Sequence, residues 1–350
     1  MRDDELPGLD PVRLRAWLDT RHPSLAGGPL QARLLVGGLS NLTFRLDDGE
    51  HRWVLRRPPL GHVLSTAHDM HREHRIIAAL KDTGVPVPET LLAADDPDGE
   101  AGVGAPFYLM EFVEGETLNS PADNAGRDPR WIADLAPALV EVLAALHALD
   151  PLPLGLGDFG RPAGFLERQV RRWGRQLDQS RSRPLGELDE LAARVAAIVP
   201  DSAGVSIVHG DFRLDNTLMA TVQGRPRVAA VLDWEMSTLG DPLTDLGLLG
   251  VYWSLHRIPE AARSPLASAI DPAAGYPPFE SLVDDYARLR GIPAPDVSWY
   301  VGFASYKLAV ILEGIHYRHT QGLTVGAGFD TVGALVPALA RFGLDALTQR

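Results

Sequence analysis

The sequence predicts an α+β protein of two lobes: a β-rich N-terminal lobe with one main helix over residues 1–114, then an α-rich lobe over residues 115–350. Three observations predict this. The chain has 350 residues, more than the roughly 250–300 at which single cores begin to split. Up to residue 112 it runs in short alternating segments punctuated by Gly and Asp, with one helical pattern among them. Beyond Glu114-Gly115-Glu116 the apolar residues fall at three- and four-residue steps over long spans.

The elements follow in order. Residues 31–54 form a β meander with a turn at Asp47-Asp48-Gly49-Glu50. A helix over 67–81 carries Met70, Ile77 and Leu80 on one stripe and ends before Gly84, Pro86 and Pro88. Strands at 90–94 and 106–112 flank the acidic turn Asp95-Asp96-Pro97-Asp98-Gly99. The first helix of the second lobe spans 132–149, on Ile132, Leu135, Leu139, Val142, Leu146 and Leu149. Further helices are expected at 164–178, 186–198, 244–256, 279–290, 297–319 and 329–348, with one β segment at 205–234.

Composition narrows the chemistry. There is no cysteine, so disulfides, thiolate metal sites and thiol nucleophiles are excluded. Lys+Arg number 33 against 46 Asp+Glu, a net charge of −13, which argues against nucleic acid as a partner because phosphate backbones need a basic face. MRDDELPGLD has no apolar core of a secretory signal. The apolar pattern at 132–149 is interrupted by Asp134, Glu141 and His147 and falls short of the ~20 residues a bilayer needs. The expected setting is cytoplasmic, with no membrane partner.

The chemistry concentrates in Val208-His209-Gly210-Asp211-Phe212-Arg213-Leu214-Asp215-Asn216 and Val231-Leu232-Asp233-Trp234-Glu235, joined by a predicted hairpin. With the turn centred between Gly224 and Arg225, Asn216 and Asp233 are equidistant from it and face each other. An amide oxygen and a carboxylate so placed make a hard-oxygen site for Mg²⁺ on phosphates, and Asp211 is then the base. H-G-D-x-x-x-x-N followed by D-W-E is the pattern of kinase-like phosphotransferases. The alternative is that these polar residues are ordinary turn formers before a strand. His209 reads as a loop-orienting residue, Asp241 as a cap or anchor, and Asp245 as a buttress accepting N–H groups of the loop.

The first lobe offers matching parts for a nucleotide. Gly37-Gly38-Leu39-Ser40-Asn41 lies between two strands, where backbone N–H groups with Ser40 and Asn41 would cover triphosphate oxygens. A ligand-free Gly-Gly hairpin would look the same. Arg56 ends Trp53-Val54-Leu55-Arg56 where a kinase strand has lysine, and its planar fork suits phosphate. Glu73 shares the stripe of Met70, Ile77 and Leu80, so it points inward, where an Arg56–Glu73 ion pair would offset its burial. It otherwise reaches solvent at the stripe's edge. At the end of the β lobe, backbone groups of Glu111 and Val113 are placed to read an adenine edge.

The segments HGDFRLDN, AVLDWEMSTLGDPLTDLG, GGLSNLTF and WVLRRPP resemble the aminoglycoside phosphotransferase/choline kinase superfamily. LRRPPLGHVLSTAHDMHREHRII, GAPFYLMEFVEG and GLGDFGRPAGFLERQVRRWGRQ are similar, more narrowly, to the subfamily that includes kinase domains fused to acyl-CoA dehydrogenases. The resemblance covers about residues 30–320. It implies a protein-kinase-like fold with a nucleotide-binding first lobe and a catalytic, acceptor-binding second lobe, transferring the γ-phosphoryl of ATP to a small-molecule hydroxyl. By motif position it implies Asp211 as base, Asn216 and Asp233 on Mg²⁺, and Arg56 with Glu73 in the Lys–Glu role. In the fused relatives the acceptor is a 4-hydroxyacyl-CoA, which implies a separate acyl-CoA dehydrogenase in the same pathway.

Between Arg161 and Arg183 stand seven arginines against Glu167 and Asp178, a local charge of +5. Arg168, Arg171, Arg172 and Arg175 share a helical face, which suits an anionic acceptor. A solvated face paired with distant carboxylates is the other reading. Two further alternatives stand: a kinase of aminoglycosides or other cationic alcohols, and a non-catalytic nucleotide-binding module.

Overall fold

The protein is described from a computed structural model, over residues 6–35, 41–61, 68–264, 266, 268–323 and 329–348. It divides into two compact units: residues 1–114 with 229–235, and residues 115–228 with 236–350.

The first unit begins with a helix that apolar periodicity does not predict, α1 (Pro11–Arg21). Its start is nonetheless written in the sequence. Asp10 accepts the N–H groups of Val12 and Arg13, and Pro11 occupies the first turn, where no N–H is needed. Strands β1 (Gln31–Leu34), β2 (Leu42–Asp47) and β3 (Arg52–Arg57) form the expected meander; α2 (Met70–Leu80) precedes β4 (Thr90–Ala94) and β5 (Phe107–Glu111). The antiparallel sheet has the order β1-β2-β3-β5-β4. One side holds a core of Leu14, Leu18, Phe44, Leu46, Leu55, Phe107 and Leu109. Alternation along β2 and β3 puts Phe44, Leu46 and Leu55 on that core. The β2–β3 turn is held by Asp48, whose carboxylate accepts the N–H groups of Gly27, Glu50 and His51.

The second unit is helical: α3 (Pro129–Ala148), α4 (Phe165–Ser180), α5 (Gly186–Ala197), then β6 (Ser206–Val208), β7 (Thr217–Val222), β8 (Arg225–Val231, whose last residues belong to the first unit), β9 (Thr238–Gly240), α6 (Leu243–Trp253), α7 (Phe279–Arg290), α8 (Ser298–Thr320) and α9 (Phe329–Thr348). The single β segment expected at 205–234 is thus two small pairs, β6 with β9 and β7 with β8. Helices α3 and α9, 20 residues each, are by length and composition apolar enough to cross a bilayer, so the shortfall read from 132–149 does not hold for α3. Their apolar faces pack on protein, α3 against α7 and α9 against α8 and α5.

The β7–β8 turn differs from expectation. Gln223 and Gly224 both have positive φ, 52° and 79°, and alone separate the strands, the signature of a two-residue hairpin loop. The turn therefore centres one residue earlier than the symmetry argument required. Asn216 lies seven residues before Gln223 and Asp233 nine after Gly224, so they are not equidistant from the turn. The pairing argument for bringing them together does not stand.

Candidate active site

In the first unit the charged residues gather where β3, α2 and the segment after β8 meet. Arg56, at the buried end of β3, places Nη2 3.3 Å from Glu73 Oε1 and 3.0 Å from Asp233 Oδ1. Glu73 is 1% exposed on the inward stripe of α2, so the ion-pair reading holds over the solvent reading. Burial alone would lower the Arg56 pKa, but Glu73, Tyr108, Asp233 and Glu235 outweigh it and raise it, so the guanidinium stays charged. Burial raises the Glu73 pKa, with Arg56 opposing and Asp233 adding to the rise. One cation thus serves two carboxylates. Asp233 sits in the left-handed region at φ 64°, a conformation that costs about 1 kcal/mol or more for a non-glycine residue and clusters at functional positions.

Two residues beyond Asp233, Glu235 accepts a hydrogen bond from Asn41 Nδ2 at 3.1 Å and lies 3.5 Å from His68 Nδ1. Asn41 is therefore fixed to the D-W-E segment, a role its position in the glycine-rich loop did not suggest. Gly38 and Ser40 lie outside the described residues. Glu111 is exposed at the end of β5, and its N–H is committed to the Glu89 carbonyl at 2.8 Å, so that N–H is not available to an adenine edge. Val113 follows, half-buried.

In the second unit Asp211 stands in a loop held through its backbone. Asp245, fully buried near the start of α6, accepts the N–H of His209 at 2.7 Å and of Gly210 at 2.8 Å. His147 Nε2, whose other ring nitrogen meets Tyr286 Oη at 2.9 Å, lies 3.3 Å from the same carboxylate. Burial raises the Asp245 pKa, but His147, His209 and the Gly210 N–H outweigh it and hold the group below the usual carboxylate range. The Asp211 N–H donates to His209 Nδ1 at 3.2 Å, so His209 orients the loop. Asp241 caps α6 through the Leu243 N–H at 2.9 Å and accepts from Ala203 N–H and Tyr300 Oη.

The Asp211 carboxylate meets Asn216 Nδ2 at 2.9 Å, Tyr252 Oη at 3.4 Å and Arg213 Nε at 3.8 Å. Arg213 also stacks over the Tyr252 ring, 4.6 Å from its centroid. Asn216 uses the same nitrogen on the Asp211 carbonyl, which leaves its amide oxygen outside both bonds. Asp211 and Asn216 are thus brought together, as are Arg56, Glu73 and Asp233, each group within its own unit.

Sequence reasoning assigned no role to Lys307, Tyr252 or Arg213. Lys307 reaches from α8 to donate to the Gly210 carbonyl at 2.7 Å, with Nζ 5.7 Å from the Trp173 ring centroid. No local motif marks it, because 97 residues separate it from Gly210. The arginine-rich segment is partly consumed internally. Arg168 donates to the carbonyls of Arg161 and Ala163, Arg181 pairs with Asp189, and Arg183 with Glu313. Arg172 lies over Trp173 at 5.5 Å, on the side chain that also faces Lys307.

With this geometry in place, the comparisons define the class. The chain belongs to the phosphotransferase enzyme family, whose model matches residues 31–292. It is 34% identical over 331 residues to acyl-CoA dehydrogenase family member 11 of Gallus gallus, covering 92% of this chain and 41% of that protein. The Rattus norvegicus protein of the same name is 35% identical over 340 residues, covering 95% and 42%. The chain therefore spans about two-fifths of the length of these relatives. A crystal structure from Ralstonia eutropha, provisionally described as an aminoglycoside phosphotransferase, superposes with a TM-score of 0.81 at 32% identity, over 97% of this chain and 98% of that one. The GDP complex of aminoglycoside 2'-phosphotransferase-IIIa shares the fold at TM-score 0.63 and 14% identity, over 96% and 99%. The protein is thus a member of the phosphotransferase enzyme family with a kinase-like fold.

Proposed function

We propose that the chain transfers the γ-phosphoryl group of ATP to the hydroxyl of a hydroxyacyl-CoA-like acceptor. The observation that carries the acceptor assignment is the pair of cations on Trp173. Lys307 touches the backbone next to Asp211, and Arg172 lies against the same indole. Fixed positive charge beside the base favours an acceptor bearing phosphates and repels a polycation.

Asp211 takes the acceptor's hydroxyl proton as that oxygen bonds to the γ-phosphorus and the bond to the β-phosphate oxygen breaks, releasing ADP. Asn216 Nδ2 and Tyr252 Oη hold the carboxylate for this step. The donor set fits Mg²⁺: the Asn216 amide oxygen lies outside that residue's two bonds to Asp211, and Asp233 is a carboxylate. An Mg²⁺ ion held by either residue would neutralise charge on the phosphates. Arg56, kept in place by Glu73, clamps α/β-phosphates; Gly38, Ser40 and Asn41 cover the triphosphate; Glu111 and Val113 border the adenine. On this reading residues 1–114 bind nucleotide, and residues 115–350 carry the base and the acceptor. The reaction is placed in the cytoplasm, beside a separate acyl-CoA dehydrogenase, an enzyme class named in the relatives.

Mg²⁺-dependent ADP release tests the proposal, with a 4-hydroxyacyl-CoA and with kanamycin as acceptors. Turnover is expected with the thioester and a fall of at least about 100-fold in Asp211→Asn. Turnover with kanamycin alone would transfer the assignment to cationic alcohols. Near-wild-type turnover of the variant would remove Asp211 as base.

A further inference from the structure

We propose that Lys307 is a positioning residue for phosphoryl transfer, an ammonium on α8 that fixes the peptide leading into Asp211; the inference rests on the phosphotransferase reading above. The need for such a fixture lies in Gly210. Its φ is +84°, and a Cβ there would come 2.5 Å from the Met236 carbonyl oxygen, so the position accepts only glycine. Glycine is the residue with most backbone freedom, and it stands immediately before the proposed base. Its N–H is held by Asp245 and its carbonyl by Lys307, at 2.8 and 2.7 Å. The carbonyl belongs to the same peptide plane as the Asp211 N–H, which His209 holds. Two bonds therefore set that plane, from Lys307 and His209, while Asp245 holds the peptide before it; of these three bonds only the one from Lys307 carries a positive charge.

Packing alone does not explain a lysine here. The ammonium is buried enough that its pKa falls, with the charges of Asp211 and Asp245 opposing the fall and Arg172 adding to it. A side chain of the same length without charge would avoid that desolvation. The hydrogen-bond acceptor for this ammonium is a neutral carbonyl, not a carboxylate, so its charge remains to act beside Asp211 and on the acceptor. The Trp173 face supports the ammonium from another side.

The experiment compares wild type with Lys307→Met, Lys307→Gln and Lys307→Arg, measuring turnover with ATP and a 4-hydroxyacyl-CoA, the KM for ATP, ADP affinity by calorimetry and the melting temperature. Met keeps the length without donor or charge, Gln keeps a neutral donor, and Arg keeps both. The expected result is a fall in kcat of roughly 10- to 100-fold in Met, with ATP KM and ADP affinity within about twofold of wild type and Arg closest to wild type. Should Met fail to fold, Arg exceeding Gln in kcat at matched melting temperatures supports the same conclusion. Equal kcat in all folded variants, or a loss that tracks melting temperature and not the charge, would overturn the positioning role while leaving the phosphotransferase reading intact. A wild-type protein that binds ADP but turns over no acceptor would overturn that reading instead, and this inference with it.

Discussion

The two groups of candidate catalytic residues are held in place by different physics. In the first unit Arg56, Glu73 and Asp233 fix one another through charge, side chain to side chain, with one guanidinium between two carboxylates. In the second, Asp211 is fixed through backbone: Asp245 holds the successive N–H groups of His209 and Gly210, and Lys307 the Gly210 carbonyl that follows them. The difference matches the tasks proposed for them. A charge cluster can exchange partners when phosphates and a cation arrive, because its members are held by charge and not by the chain's path. A base must stand at a fixed point relative to the acceptor oxygen, and displacement by about 1 Å can cost 100-fold in rate.

The sharpest way to break this comparison is Asp245→Asn. One accepting oxygen is lost, and an amide N–H₂ is turned toward backbone donors that had a carboxylate. A fall in kcat of about 100-fold is expected, with nucleotide affinity preserved. Unchanged turnover would show that backbone anchoring does not position the base. Arg56→Ala should act next in size and on the other axis, raising the ATP KM about tenfold, equivalent to about 1.4 kcal/mol. Arg56→Lys should retain part of the interaction as a point charge without the planar fork. If the alanine variant kept both KM and kcat, the charge cluster would be structural.

The legibility of these two groups in the sequence differed for the same physical reason. Arg56 and Glu73 could be matched because an acid on the inward stripe of an amphipathic helix demands a cation, and strand β3 offered one. Helix α7 was bounded by periodicity to the residue. Helix α1 was not, since with only Leu14 and Leu18 buried it carries too few apolar positions to show a period, although Asp10-Pro11 marked its start. The hairpin register failed on one residue: Gln223 adopts a left-handed conformation that glycine and asparagine usually supply, and sequence gave no reason to expect it of glutamine. Lys307 could be placed no further than a late helix bordering an acceptor cleft, without a role, and Tyr252 not at all, because their relation to Asp211 is purely tertiary. Asp245, by contrast, was expected to accept the loop's N–H groups, and it does.

The smallest effect expected tests whether backbone anchoring by a buried carboxylate belongs to the catalytic loop or to the fold generally. Asp96, 3% exposed in the turn between β4 and β5, accepts the N–H groups of Ala101, Val103 and Gly104 at 2.8–2.9 Å. Burial raises its pKa, but the bonds from these N–H groups outweigh it and the net shift is downward. A carboxylate with a folded pKa below its unfolded value stabilises the protein fully above the unfolded value, about 3.9. That contribution is lost as pH falls through the lower folded value. Asp96→Asn should therefore be less stable than wild type at pH 7, by about 1.5 kcal/mol, the low end for a hydrogen bond to a charged group. The gap should close as denaturant unfolding is repeated below about pH 4, while kcat stays at the wild-type value. A gap that persisted unchanged into acid would assign the loss to packing of the turn and not to the charge of Asp96.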